Sequence, residues 1–396
     1  VILAIIALIA TPIVLNIINN TKESAAIRSA DGYVRALNYT IAENALHDVV
    51  VEDGEYIIGE NELQVEGNNV DRITMGSYEI INGVVAWAGL CIDNYPVEYN
   101  SATGYRGIST TNYCSDGTEV VFVEPEGEIL SNVCDDDSKY ASNENFKIRK
   151  IEDLVCLSNL TNSGKNFSGK TIYLVSDLDF NSDSSYSNTS STIYGDINGN
   201  GTVEGLKTEL TTGSGFKPIG NNSNKFSGTF IGYAFTISNL MINRPSTNYT
   251  GMFGYNSGII KGINLLGVNV KGASTTGALV GYNSNNVSSI YVEGIVSGTQ
   301  DVGGVIGESP ANSNFIDIVS NTIVSGSNCI GGVAGRINSA SSVSVVNIGG
   351  SVTAGTNNYS GKVAGVYYKT SSKPYLSGSL SSITRVGTNS YDSDDG

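Results

Sequence analysis

An Asp- and Asn-rich string in the middle of the chain, GDINGNGTVEG, carries the residue types and spacing of a metal-binding loop. Four oxygen-bearing side chains occupy the first, third, fifth and ninth positions of a calcium loop: Asp196, Asn198, Asn200 and Glu204. Lys207 stands at the twelfth position, where such a loop closes with a bidentate carboxylate. The pattern predicts a calcium site, and a polar loop without metal remains the alternative.

A second acidic string, DLDFNSD, lies upstream and would complete the oxygen shell if the two segments meet. It contributes Asp177, Asp179, Asn181 and Asp183. Calcium held by acids beside a basic proton acceptor is suited to cleaving acidic polysaccharides, and Arg336 and Lys362 are the basic residues beside repeated glycines. Neither lies near the acidic string in the sequence. We therefore expect no enzymatic activity.

The string GKNFSGKT, residues 164–171, matches a phosphate-binding loop letter for letter. A helical pattern precedes it and a strand-like pattern follows it, so no helix N-terminus is available for phosphate. Nucleotide binding is not expected.

The five cysteines are too far apart for a C-x-x-C zinc site: Cys91, Cys114, Cys134, Cys156 and Cys329. Cys91 and Cys114 flank one loop-rich stretch, and Cys134 and Cys156 flank another. Two local disulfides are predicted for a protein that works outside the cell, and separate buried thiols are the alternative. The sequence does not determine the pairing.

The charge excludes one class of partner. There are 22 Lys and Arg against 38 Asp and Glu, a formal net charge of -16, whereas nucleic-acid binding depends on clustered basic side chains. Charged residues are only 15% of the chain and glycines number 47, which favours a β protein with many tight turns over a helical enzyme.

An internal repeat in the second half of the chain indicates the strands that would position these residues. The strings GMFG, ALVG, GVIG, GVAG and KVAG end at glycines spaced by 27, 26, 28 and 30 residues: Gly254, Gly281, Gly307, Gly335 and Gly365. A second β-like run follows each of the first four. Each unit is predicted to be one coil of a β-solenoid, stabilised by its neighbours. The amphipathic segment 150–160 is predicted to be a helix that caps the stack.

The chain starts with an uncharged segment, residues 1–18, that would extend about 27 Å as a helix and could span a bilayer. Pro12 is predicted to bend this helix. The pattern then becomes amphipathic to about residue 47. A buried core helix is the alternative. Between this helix and the repeats, alternating short runs predict a small antiparallel sheet with a hairpin turn at Asn82-Gly83.

The string VILAIIALIATPIVLNIINNTKESAA, residues 1–26, resembles the N-terminal helix of type IV pilins and pseudopilins of Gram-positive bacteria. Pro12 falls where that family carries its helix-kinking proline. The family's processed start, an aromatic residue followed by T-L-x-E-L, would lie upstream of Val1, so its assembly glutamate is assigned to no residue here. The resemblance implies a helix that resides in the membrane and then packs against like subunits in a fibre.

The repeats, together with TIYLVSDLDF, GFKPIG, FSGTF and TISNL, resemble the GLUG repeats of bacterial surface proteins over roughly residues 145–385. Residues 231–234 read IGYA where relatives have D-G-N-G, so the turn there is expected to differ. The resemblance implies surface display and adhesion, without a catalytic consensus.

The predicted fold class is mainly β with one long N-terminal helix: a pilin-like α+β module followed by a β-solenoid. The predicted parts are a helix at 1–47, a small β domain at 48–131, a polar linker at 132–148, a capped solenoid at 149–385 and an acidic tail at 386–396.

The predicted function is a surface fibre subunit or adhesin, inserted in the membrane through residues 1–18 before assembly. Its partners would be like subunits and a glycan or host surface, with no nucleic acid. The alternatives are a membrane-anchored solenoid adhesin that does not polymerise and, less favoured, a polysaccharide-acting β-helix enzyme.

Overall fold

The computed structural model describes residues 26, 29, 30, 32–47, 49–65, 73–92, 95–100, 104–106, 125–134, 136–181, 196–233, 235–310, 313–338, 343–355, 359–367, 375–376 and 384–386. The chain divides into two compact units, Val1–Val123 and Glu124–Gly396. The predicted apolar segment 1–18, with Pro12, lies outside the described residues, as does the tail beyond residue 386. Within the described part of the chain, no helix is long and apolar enough to cross a membrane.

The first unit packs a helix on an antiparallel sheet. Helix α1 includes 26, 29, 30 and 32–46. The sheet has the order β1-β2-β3-β4-β5, with β1 (Gly54–Ile57), β2 (Ile73–Ile81), β3 (Val84–Ile92), β4 (Tyr95–Asn100) and β5 (Gly104–Arg106). Asn82 and Gly83 form the predicted hairpin turn between β2 and β3, and both have positive φ, as this tight turn requires.

Helix α1 lies on the sheet through one apolar stripe whose residues recur every three or four positions. Its members are at most 6% exposed: Ala26, Ala30, Tyr33, Val34, Leu37 and Ile41. They share one core cluster with Tyr78 and Leu90 of the sheet, whereas Tyr39 and Leu46 are 69% and 84% exposed. The amphipathic half of the predicted helix is thus present, because a 3.6-residue period buries only one side of a helix.

The second unit begins with short strands and three helices. In chain order these are β6 (Glu128–Ile129), a 3-10 turn (Leu130–Asn132), α2 (Asp137–Ser142), β7 (Asn145–Ile148), α3 (Ile151–Asn162), β8 (Thr171–Leu174), β9 (Leu178–Asp179), α4 (Leu206–Thr211), β10 (Thr229–Ile231), β11 (Thr236–Ser238) and β12 (Met241–Asn243).

The repeat region follows, with a short, a long and a short strand recurring along the chain. These strands are β13 (Phe253–Asn256), β14 (Ile259–Lys271), β15 (Ser274–Gly277), β16 (Val280–Asn283), β17 (Val287–Ser297), β18 (Gln300–Gly303), β19 (Ile306–Ser309), β20 (Phe315–Gly326), β21 (Asn328–Gly331), β22 (Ala334–Ile337), β23 (Val343–Ala354), β24 (Ser360–Gly361), β25 (Ala364–Tyr367), β26 (Tyr375–Leu376) and β27 (Thr384–Val386).

The described strands of the second unit pair into three parallel sheets, which makes it a β-solenoid. The long strands form one sheet, in which β14, β17, β20 and β23 are successive neighbours. The short strands form two more, β13-β16-β19-β22-β25 and β15-β18-β21-β24. Apolar side chains stack in register between coils, as in the ladder Phe253, Val280, Ile306, Ala334 and Ala364. These residues lie in one continuous core, so each coil buries its apolar side chains against its neighbours.

The described residues of the predicted polar linker, 132–134 and 136–148, are instead folded and belong to the second unit. Asp136 caps α2, because its carboxylate accepts hydrogen bonds from the backbone N–H groups of Ser138 and Lys139 at 3.0 and 3.2 Å. Strand β7 then pairs in parallel with β6 and β8. The acidic run that suggested a linker is therefore a helix start.

Helix α3 confirms the predicted helix near 150–160 but not its amphipathic character, because it is buried on nearly every side. Asp153, which is fully buried, accepts hydrogen bonds from the backbone N–H groups of Arg149, Lys150 and Ser131 at 2.8 to 3.1 Å. Its carboxylate thereby satisfies groups that a helix start leaves unpaired.

Glycines allow the close packing of neighbouring coils. A Cβ atom at Gly281, Gly307, Gly335 or Gly365 would lie closer than 3.0 Å to backbone atoms of the preceding coil. At Gly335 the overlap would be with Asp301, one coil before it. The repeat glycines are therefore required by backbone-to-backbone contact between the two short-strand sheets.

We predict that Gly335→Ala lowers the free energy of unfolding by about 2 to 3 kcal/mol, because overpacking against backbone cannot be relieved by a side-chain rotation. The control is Gly205→Ala: a Cβ at Gly205 meets nothing within 4 Å, and its φ is -66°. This control should cost less than about 1 kcal/mol. Chemical denaturation followed by circular dichroism measures both, and equal losses would contradict the packing argument.

Candidate functional site

Two rows of side chains run along one edge of the solenoid, and the first row is half-exposed from Tyr282 to Val366. This first row consists of the residues that directly follow the repeat glycines: Tyr255, Tyr282, Glu308, Arg336 and Val366, which pair in register. Lys225 extends this row by one coil, because Phe226 pairs with Asn256 and places Lys225 beside Tyr255. We call these residues, with the second row below, the corner stripe.

The second row consists of residues in left-handed backbone conformation, one in each coil. Tyr249, Thr275, Asp301 and Cys329 have φ between 53° and 62°. Non-glycine residues adopt this conformation at a cost of about 1 kcal/mol or more, so its recurrence at the same point of four coils marks a fixed feature of the repeat. Tyr249, Asp301 and Cys329 contact side chains of the first row, and Tyr249 is the half-exposed member of the second row, whereas Thr275, Asp301 and Cys329 are at most 5% exposed.

Three tyrosines cluster at the Lys225 end of the corner stripe. The ring centroids of Tyr255 and Tyr282 are 4.6 Å apart, and Tyr249 lies 6.0 and 5.9 Å from these two rings. The ammonium of Lys225 lies 4.4 Å from the Tyr255 ring centroid, within the range of a cation–π contact. Tyr255 is 9% exposed and the other two rings are half-exposed.

Charged groups follow the tyrosines in the next coils. The Arg336 Nε donates to the Asp301 carboxylate at 2.8 Å, and Asp301 is 4% exposed. Asn338 donates from Nδ2 to Glu308 at 3.4 Å. Burial, and secondarily the neighbouring Asp301, raises the pKa of Glu308. The first row thus changes from an aromatic side chain at Tyr282 to a charged side chain at Glu308, one coil further along.

Burial favours the neutral forms of the Tyr282 hydroxyl and the Cys329 thiol, because it raises the pKa of both groups. Burial is the main cause that raises the pKa of Tyr282 to about 12, with Tyr255 adding to it. Burial also raises the pKa of Cys329 to about 11, and this cysteine is free. A thiol of such high pKa is a poor nucleophile at neutral pH, so the stripe is suited to binding rather than to cysteine chemistry.

The structure brings the four predicted calcium-loop residues together. The Asp196 carboxylate accepts from the backbone N–H groups of Asn200 and Gly201 at 3.1 and 2.8 Å. The Glu204 carboxylate accepts from the side-chain amides of Asn198 and Asn200 at 3.4 and 3.3 Å. No cluster of three metal-binding His, Cys, Asp or Glu side chains occurs among the described residues. Calcium binding stays a prediction, whose signature would be a higher melting temperature in calcium than in EDTA.

Glu209 anchors this loop and was not predicted. It is 1% exposed, and its carboxylate accepts from the backbone N–H groups of Ile197, Asn198 and Glu204 at 2.9, 3.0 and 2.7 Å. The Arg244 guanidinium holds the same loop by donating to the Ile197 carbonyl at 2.8 Å. The signal for Glu209 in the sequence is its place, two residues after Lys207 at the closing position of the predicted calcium loop.

The second acidic string contacts the predicted calcium loop through the side chain of Lys207 and not through shared oxygen ligands. Lys207 donates from Nζ to the Asn181 carbonyl. Asp177 accepts from the Thr236 N–H at 2.7 Å, and Asp179 accepts from the Asn239 amide at 2.7 Å. Asp183 lies outside the described residues. Both described aspartates are thus engaged in holding neighbouring coils together.

The structure joins Cys134 to Cys156 in a disulfide with a Cα–Cα distance of 5.6 Å. Cys91 is also disulfide-bonded, and its predicted partner Cys114 lies outside the described residues. Cys329 is buried and free. The Cys134–Cys156 disulfide joins helix α3 to the turn that follows strand β6.

The corner stripe was not located by sequence reasoning, although a signal for it exists. The repeat glycines indicate the coils, but the sequence alone does not show that the residues following them align in a row. In the coils from Gly281 to Gly335, the residue after the glycine is half-exposed, whereas its two neighbours in the sequence are buried. The second-row residue of these coils stands six positions before the glycine: Thr275, Asp301 and Cys329.

Comparison with known proteins gives partial similarities. No protein-family model and no solved structure matches the chain. The chain is similar to halomucin of Haloquadratum walsbyi, with 32% identity over 131 residues, or 32% of this chain and 1% of halomucin. It is also similar to a Gly-rich membrane protein of Evansella cellulosilytica, with 37% identity over 86 residues, or 20% of this chain and 10% of that protein. The chain thus spans a small fraction of either relative.

We predict that Glu209→Ala destabilises the second unit by about 3 kcal/mol, because three backbone N–H groups, two of them buried, lose their acceptor. Glu60→Ala serves as the control, since Glu60 is exposed in a turn and its loss should change stability by less than about 0.5 kcal/mol. Thermal and chemical denaturation report the difference. If the two variants are equally stable, Glu209 does not anchor the loop.

Proposed function

We propose that this chain is a pilin-like surface subunit or adhesin, in which the N-terminal helix serves membrane residence and fibre packing and the solenoid is displayed for adhesion. The observation that carries the proposal is the first unit, in which an amphipathic helix lies on a small antiparallel sheet. In the sequence this helix directly continues the uncharged segment 1–18.

The solenoid suits a display role. Its core is continuous through the described coils as far as Ala364, so each coil contributes to the stability of the stack. Polar side chains cover much of its surface, and the net charge of -16 favours solubility over association. The similarity to a protein described as a Gly-rich membrane protein also supports placement at a membrane or cell surface.

The proposal includes no catalytic step. The acids of the predicted polysaccharide-cleaving cluster, Asp177 and Asp179, accept hydrogen bonds that connect coils. Arg336 is paired with Asp301. These groups therefore have structural partners that a catalytic role would disrupt, which argues against the polysaccharide-acting enzyme.

A membrane-anchored adhesin that does not polymerise is the second candidate. It has the same solenoid and the same amphipathic helix, and differs only in what the segment 1–18 contacts. The two are separated by whether the protein is recovered in fibres or in the membrane fraction.

The test is to locate the full-length protein on cells that produce it naturally. Antibodies raised against the solenoid should label intact cells, and sheared surface material should contain the protein in filaments visible by electron microscopy. Labelling of intact cells with all protein retained in the membrane fraction would favour the anchored adhesin over the fibre. Labelling only after the cells are opened would contradict both.

A further inference from the structure

The proposed function leaves the adhesive surface unassigned, and the corner stripe has the chemistry to fill that role. From Lys225 to Arg336 the first row spans four steps between coils, or about 19 Å at the spacing of paired strands. Each step is close to the length of one hexose unit along a saccharide chain. The row is therefore long enough for a short oligosaccharide lying parallel to the solenoid axis.

The side chains of the stripe match the two kinds of surface that a pyranose ring presents. The rings of Tyr249 and Tyr282 are half-exposed with their planes 82° apart, and they provide apolar surface for the C–H side of a sugar. Glu308, Asn338 and Lys225 offer acceptors and donors for its hydroxyl groups. Apolar lining with a few convergent polar groups is typical of small-ligand sites.

The charge of the stripe selects a neutral ligand. Lys225 and Arg336 balance Asp301 and Glu308, so the stripe has no formal net charge within a chain of net charge -16. An acidic polymer would be repelled by the rest of the molecule, and a cationic partner would find no local acidic excess. The accessible part of the stripe is also narrow, because Thr275, Asp301 and Cys329 of the second row are at most 5% exposed, whereas a stable protein partner needs about 800 Å² on each side.

We propose that the corner stripe binds a neutral oligosaccharide, with Tyr249 and Tyr282 stacking on sugar rings and Glu308 accepting hydrogen bonds from hydroxyl groups. This inference rests on the proposed adhesive function and names its ligand class. Tyr255 supports the other two rings from beneath rather than meeting the sugar, because it is 9% exposed.

The experiment screens the purified full chain on a printed array of neutral and acidic glycans, and then titrates the best neutral oligosaccharide in solution by calorimetry. Tyr282→Ala should weaken binding about tenfold, since it removes one stacking face. Tyr282→Phe keeps the ring and should retain most of the affinity. Tyr39→Ala is the matched control, because Tyr39 is 69% exposed on helix α1 and should leave binding unchanged.

Circular dichroism melting establishes that each variant is folded, and Glu308→Gln provides a variant with no change in packing volume that should also weaken binding. Binding to no neutral glycan, binding restricted to acidic glycans, or equal affinity of Tyr282→Ala and Tyr39→Ala would overturn the proposal. These results are independent of the cell-labelling test: a displayed solenoid without sugar binding would retain the proposed function and remove this inference alone.

Discussion

The solenoid depends on the close approach of backbones where the two short-strand sheets meet. At Gly281, Gly307, Gly335 and Gly365 the backbone of one coil touches that of the preceding coil, and a single methyl group would overlap with it. This contact fixes how each coil lies on the one before it. The parallel register and the apolar ladders between coils follow from that placement.

The same contact determines where side chains reach the surface. The glycine is followed by a half-exposed position in the coils from Gly281 to Gly365, and the left-handed residue that it touches lies directly beneath this edge. The stacking of the coils is therefore sufficient to align the two rows of side chains. The tyrosine cluster and the Asp301–Arg336 pair differ in chemistry but occupy equivalent places in the repeat.

The sequence predicted the features that depend on local pattern. The repeat period indicated the solenoid, the apolar period indicated helix α3 and the stripe of α1, and Asn82-Gly83 indicated the hairpin. It did not predict contacts between distant residues. The acidic run near Asp136 was interpreted as a linker because charge alone does not distinguish a helix cap from an exposed segment. Glu209 was missed because its role depends on how the loop 197–204 folds around its carboxylate, and the corner stripe was missed because it depends on contacts between coils.

The central claim is that the residues following the repeat glycines form one straight row with the spacing of paired strands. Electron paramagnetic resonance between spin labels at Lys225→Cys and Val366→Cys, with Cys329 replaced by serine, measures the row directly. Five steps between coils predict a narrow distance distribution near 24 Å, about 4.8 Å for each step, broadened by the label linkers. A broad distribution, or one centred well away from this distance, would contradict the account of the stacking and of the stripe built on it.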